Sequence, residues 1–220
     1  MTTEGFNPTL ATTITIPADA QMPYTVNELT AGVTYNFAAQ QACGGNWTEV
    51  LTVEIPNAYP VPLYFDFDTP ETTPSMTFST DSQENSWYIG SADNNTFDAN
   101  NDLTVGGALY ISNDNGTTAG YTDYGSITNA ADASFLVYLT PMAGRNLSFD
   151  VKIGGETSSD YLSVFLVPYG QATEYSYMLE GFLCETPNWE TKTISVPSDY
   201  SGLYSLVFRW TNNSMDGSQP

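Results

Sequence analysis

The chain has 220 residues, 41% of them hydrophobic and 14% aromatic, enough to build a sizeable core in one large or two small domains. Its 25 acidic residues face only four bases, Arg145, Lys152, Lys192 and Arg209, and a surface of formal charge −21 repels nucleic-acid phosphates and anionic lipid headgroups while favouring divalent cations or high salt. The lack of histidine excludes Ser-His-Asp and Cys-His nucleophiles and His-containing zinc sites, and Cys43 and Cys184 have no metal-ligand spacing.

Before about Pro56 the sequence reads as short β-rich segments, Thr12–Ile16, Tyr24–Val26, Tyr35–Gln41 and Val50–Ile55, separated by Pro, Gly or Asn. In LTAGVTY, Leu29 to Tyr35, a tight Ala-Gly turn precedes a tyrosine that opens an alternating strand. This piece resembles the tyrosine corner of fibronectin type III and immunoglobulin-like sandwiches, in which the phenol bonds back to upstream backbone. Residues 1–57 are therefore expected to be a partial fibronectin type III-like domain lacking its opening strands; a short β extension of the next domain is the other reading. No basic-then-apolar signal pattern opens the chain, and no apolar run approaches the roughly 20 residues of a membrane helix.

NAYPVP, Asn57 to Pro62, is a proline-bearing junction to a second domain at 58–220. Strands are predicted there at Leu63–Phe67, Trp87–Ile89, Ala108–Ser112, Phe135–Leu139, Leu147–Ile153, Tyr161–Val167, Thr191–Val196 and Tyr204–Trp210. Eight strands with Gly, Pro and Asn punctuation and no convincing amphipathic helix indicate a jelly-roll-like β-sandwich. The fold class expected for the whole is all-β, a partial fibronectin type III sandwich followed by that jelly roll. Cys43 and Cys184 fall in different domains and are expected to be isolated small side chains rather than a disulfide.

In YFDFD, Asp66 and Asp68 stand two apart, which on a strand puts both carboxylates on one face roughly 7 Å apart. Such a pair can clamp calcium, which takes six to eight oxygens, and equally fits the solvated face of an edge strand. In TDSQENSW, Asp81, Glu84 and Asn85 precede a buried-looking tryptophan, without the glycine and acidic spacing of an EF-hand loop. Asp114 in ISNDNG, and Glu156 and Asp160 in GGETSSDYL, read first as turn and loop acids. VPYGQATEYSYM places Tyr169, Tyr175 and Tyr177 on a long surface connection, where exposed rings can stack on sugars or bind protein, or pack back on the sandwich.

Taken in order, TPETTPSMTFSTDSQENSWYIG, ALYISNDNGTTAGY, NLSFDVKIGGETSSDYLSVFLVPYG and YSLVFRWTNNSMDGSQP resemble the choice-of-anchor J group of bacterial extracellular domains, β-sandwich modules related to the cleaved-adhesin domains of gingipains and more distantly to MAM domains. The resemblance covers roughly Tyr59 to Pro220. It implies structural calcium near the first strand, with Asp66 and Asp68 as ligands and Asp81 as the third. It also implies one further closing strand beyond a GSQP-like loop, so that both cut ends are expected to be covered by packing, strand exchange or a parent assembly.

The function this implies is a non-catalytic module of a large secreted or surface-anchored adhesin-type protein, as in Bacteroidota that use type IX secretion, with targeting signals outside this sequence. Its partners would be a glycan or a host or neighbouring-cell surface protein, with neighbouring copies or parent-chain domains also possible and neither nucleic acid nor direct membrane insertion. One alternative is a subunit of a surface filament joined by strand donation. A less favoured one is a glycosidase using two carboxylates, for which one strand is the wrong place, since the acids should oppose each other across a cleft.

Overall fold

The computed structural model describes residues 7, 11–21, 23–26, 29–81, 84–91, 107–122, 128–156, 159–171 and 176–213. The chain divides into two compact units, Met1–Ala58 and Tyr59–Pro220.

In the first unit, strands β1 (Thr34–Phe37) and β2 (Leu51–Glu54) form an antiparallel pair in which Tyr35 faces Val53. Gly32, at φ 73°, turns the chain into β1 while its N–H donates to the Ile55 carbonyl at 2.8 Å. The Tyr35 phenol oxygen accepts the Thr30 N–H at 2.9 Å, the backward bond expected of a tyrosine corner. Bonds from the Thr30 side chain and backbone hold that phenol below its ordinary pKa. The predicted strands Thr12–Ile16 and Tyr24–Val26 do not form: both segments are irregular, and Ile14 and Ile16 are about half exposed, with no partner strand among the described residues.

The second unit is an all-β sandwich. Its strands are β3 (Tyr59–Pro60), β4 (Thr77–Thr80), β5 (Ser86–Gly90), β6 (Ala108–Ser112), β7 (Asn129–Leu139), β8 (Asn146–Ile153), β9 (Tyr161–Pro168), β10 (Tyr177–Leu183), β11 (Thr186–Ser195) and β12 (Gly202–Asn212). One sheet has six strands in the order β10-β9-β12-β7-β3, with β4 also paired to β7. Two separate antiparallel pairs, β5–β6 and β8–β11, supply the side chains that meet it.

Alternation decides which residues go inside. Leu162, Val164 and Leu166 of β9, Leu206 and Trp210 of β12, and Ala131, Ala133, Phe135, Val137 and Leu139 of β7 are all buried. At one end of the sandwich they meet Trp87, Ile111, Val151 and Ile153; at the other they meet Ile194. Each large side chain so buried contributes roughly 1.5–3 kcal/mol. Trp87 adds a fixed contact, its indole N–H donating to the Ala131 carbonyl at 2.8 Å.

The predicted strand Leu63–Phe67 is corrected. Phe67 takes φ 63°, and a 3₁₀ turn at Pro70–Thr72 follows, so the YFDFD segment forms no strand and bends at Phe67, and of residues 59–67 Tyr59 and Pro60 pair with β7. Phe65 nevertheless packs inward, edge-on to Tyr59 and Phe135 at 5.0 and 5.5 Å. Gly107 is required beside this turn, since a Cβ there would lie 1.8 Å from the Phe67 carbonyl oxygen. The supposed surface connection after Tyr169 is also corrected in part. From Tyr177 it is the edge strand β10, whose two register shifts against β9 obscured any two-residue alternation.

Candidate functional site

Tyrosines gather at one end of the sandwich because several strand ends meet there. Tyr204 stands opposite Pro168 and Val137, Tyr177 opens β10 opposite Leu166, and the Tyr169 N–H donates to the Leu203 carbonyl at 3.0 Å. The Tyr177 and Tyr200 rings lie 4.6 Å apart and the Tyr200 and Tyr204 rings 5.9 Å apart, inclined by 37° and 27°. Tyr200 and Tyr204 pack against the core, whereas Tyr177 is 43% and Tyr169 54% exposed. Tyr177 is thus the outermost ring of a buttressed stack, a rigid apolar surface with a hydroxyl at its rim.

Arg145 holds the stack from behind. It is buried, and it takes three carbonyls: Nη1 donates to Thr140 at 2.6 Å, and Nη2 to Pro197 at 2.8 Å and Tyr200 at 3.0 Å. The last two bonds pin the segment that carries Tyr200. Burial, then the neighbouring Tyr177 hydroxyl and Asp199 carboxylate, push the Tyr200 and Tyr204 phenols above their ordinary pKa, with Arg145 opposing at Tyr204. Both phenols therefore stay protonated at neutral pH.

Of the three tyrosines singled out from sequence, Tyr169 and Tyr177 reach this end and Tyr175 lies outside the described residues. Tyr200 and Tyr204 were missed. Their distance in sequence from Tyr177 carried no signal, and only the antiparallel pairing of β9 with both β10 and β12 unites them.

The acids behave differently. The Asp66 carboxylate is held below its usual pKa by the Thr72 side chain and then by the Asp68 amide, whose N–H it accepts at 3.1 Å. Asp68 Oδ1 accepts the Gly107 N–H at 2.7 Å, beside the Gly90–Ala108 end of the β5–β6 pair. Asp81 Oδ1 accepts the Ala130 N–H at 2.5 Å, at the start of β7. The opposite end of β5–β6 lies near that start, since Asn85 bonds Asn212, which faces Asn129. The proposed calcium trio is therefore split between the two ends of the pair, and among the described residues no three Asp, Glu or Cys side chains form a metal-holding group. The residues present do not fit the calcium site expected of Asp66, Asp68 and Asp81.

Two loop acids have clear structural work. Asp114 accepts the Ser112 hydroxyl at 2.6 Å, the Thr117 and Thr118 amides at 2.9 and 3.0 Å, and the Thr118 hydroxyl at 2.8 Å. These bonds, led by that from Ser112, lower its pKa to about 2. Asp160, read as a loop-tip acid, is instead wholly buried, accepting the Tyr121 phenol and the Asn213 amide. Cys43 is exposed and Cys184 partly buried, its thiol donating to the Phe182 carbonyl. No described helix is long and apolar enough to cross a membrane.

No protein-family model matches the chain, and no curated protein matches it. Solved structures similar to it include the following two. One is TmCBM61 in complex with β-1,4-galactotriose, at 14% identity over 70% of this chain and 91% of that one, with a TM-score of 0.40. The other is from carbohydrate-binding modules of the β-sandwich superfamily with promiscuous specificity, at 12% identity over 84% of this chain and 70% of that one, with a TM-score of 0.44.

Proposed function

We propose that this chain is a non-catalytic recognition module of a secreted or surface-attached bacterial protein, of the adhesin type that the choice-of-anchor J resemblance implies, and that its ligand is a glycan. The observation that carries this reading is the Tyr177–Tyr200–Tyr204 stack, with Tyr169 exposed at the same end. A pyranose ring has one face of C–H groups and a rim of hydroxyls, which match an exposed ring face and protonated phenols. Against hydrolysis, Asp66 and Asp68 are near neighbours in one turn, each accepting a backbone N–H, not opposed acids across a cleft.

The test is titration of the protein with neutral linear trisaccharides, with Tyr177→Ala beside the native chain. Loss of one stacking partner should weaken binding about tenfold, equivalent to about 1.4 kcal/mol. A panel in which no glycan binds, or in which Tyr177→Ala binds as tightly as the native chain, would refute the reading.

A further inference from the structure

One row of residues crosses the outer face of the six-stranded sheet at the end where the tyrosines gather. Val137 and Leu139 of β7 are buried in the core, so Tyr138 between them points outward. Level with Tyr138 stand Pro60 of β3 on one side and Leu203 of β12 on the other. Tyr169 carries the row one strand further. It follows Pro168, the partner of Tyr204, and its N–H donates to the Leu203 carbonyl at 3.0 Å, continuing the β9–β12 ladder by one residue. Residues level with one another in paired strands share a face, so Pro60, Tyr138, Leu203 and Tyr169 all lie on the side away from the core. Tyr204 and Leu166, the partner of Tyr177, belong to the core side, so this row and the tyrosine stack occupy opposite faces of the sheet.

The row presents apolar surface to solvent. Tyr138 is 52% and Tyr169 54% exposed, Pro60 is exposed, and Leu203 between the two tyrosines is half-buried. Neither hydroxyl of Tyr138 and Tyr169 has a hydrogen-bond partner among the described residues, so each can give and take one at the rim of its ring. Two strand spacings separate the two tyrosines, roughly 10 Å at the backbone. None of the four residues carries a charge.

We infer that Tyr138 and Tyr169 form a second glycan contact, a flat platform for the face of an extended, neutral, β-1,4-linked polysaccharide chain; this rests on the glycan reading above. In such a chain neighbouring rings are turned over, so every second ring offers the same C–H face, and two tyrosines set two strands apart can each meet one. A shallow row does not enclose a short soluble sugar, and its contact grows with the length and flatness of what lies on it. Acidic glycans and a second copy of this chain are both disfavoured, because the row holds no cation and the chain carries a net charge of −21.

The experiment measures depletion of the whole chain from solution by suspended cellulose, chitin and β-1,4-mannan, beside calorimetric titration with cellotriose, chitotriose and mannotriose. The native chain should bind at least one of the solids. Tyr138→Ala and Tyr169→Ala should each weaken that binding about tenfold, whereas Tyr138→Phe, which keeps the ring, should retain most of it. Tyr138→Ala should leave the trisaccharide titration as in the native chain. Binding to a solid that both alanine variants retain in full would overturn the platform. So would a chain that binds a trisaccharide through Tyr177 yet ignores all three solids, an outcome that leaves the proposed function intact. Self-association in sedimentation that Tyr138→Ala abolishes would also overturn the platform, reassigning the row to contact between copies. No binding to any sugar, soluble or solid, would overturn both readings.

Discussion

Asp160 accepts the Tyr121 phenol at 2.8 Å in a place where the carboxylate has no exposed surface. The Tyr121 ring in turn lies 5.1 Å from that of Trp210, a core residue, so a polar pair is embedded in an apolar core cluster. A buried carboxylate keeps its place only while its lone pairs are used. Tyr121→Phe removes one donor without changing the ring and should cost about 1–3 kcal/mol in chemical denaturation. An unchanged midpoint would mean that the phenol is not needed there.

Acid stability should report Asp114. Its folded pKa of about 2 lies below its ordinary 3.8, so it contributes stability that is complete above about pH 4 and lost as pH falls through the folded value. Asp114→Ala should be less stable than the native chain at neutral pH, and the gap in melting temperature should close between about pH 4 and pH 2. A gap that is constant across that window would exclude the carboxylate's charge as the cause.

Arg145 should matter through the carbonyls it binds rather than through an ion pair. Replacing it with Met leaves the Thr140, Pro197 and Tyr200 carbonyls without their donor. A loss of about 3 kcal/mol is expected, or roughly 10 °C in melting temperature for a unit of this size. Near-ultraviolet circular dichroism should fall with it, because the Tyr200 segment is no longer pinned. Native-like tyrosine ellipticity in Arg145→Met would show that the stack is held by packing alone.

Salt and calcium separate two consequences of the acidic composition. With 25 acids and four bases, sodium chloride should raise the melting temperature by screening self-repulsion. Because Asp66, Asp68 and Asp81 are divided between backbone partners, converting all three to Asn should leave any response to calcium at fixed ionic strength unchanged. A calcium response abolished by that triple variant would restore them as ligands.

The all-β class, the second domain's β-sandwich and seven of its eight predicted strands, in whole or part, were legible in the sequence, because two-residue alternation is a local consequence of burying one strand face. Val151 and Ile153 on either side of the charged Lys152 already said which side of β8 goes inside. The Tyr35 corner was legible for the same local reason, a turn followed at once by a strand. YFDFD misled, since alternation alone does not register the left-handed φ of Phe67 or the turn beginning at Pro70. What only the tertiary structure decided was the company each polar or aromatic residue keeps. Tyr177 meets Tyr200 across more than twenty residues of chain, Arg209 finds Asp132 across 77 positions, and Asp160 leaves its loop to be buried under Tyr121. These pairings follow from strand order and register, which arise from the packing of the whole core and leave no mark in any short stretch of sequence.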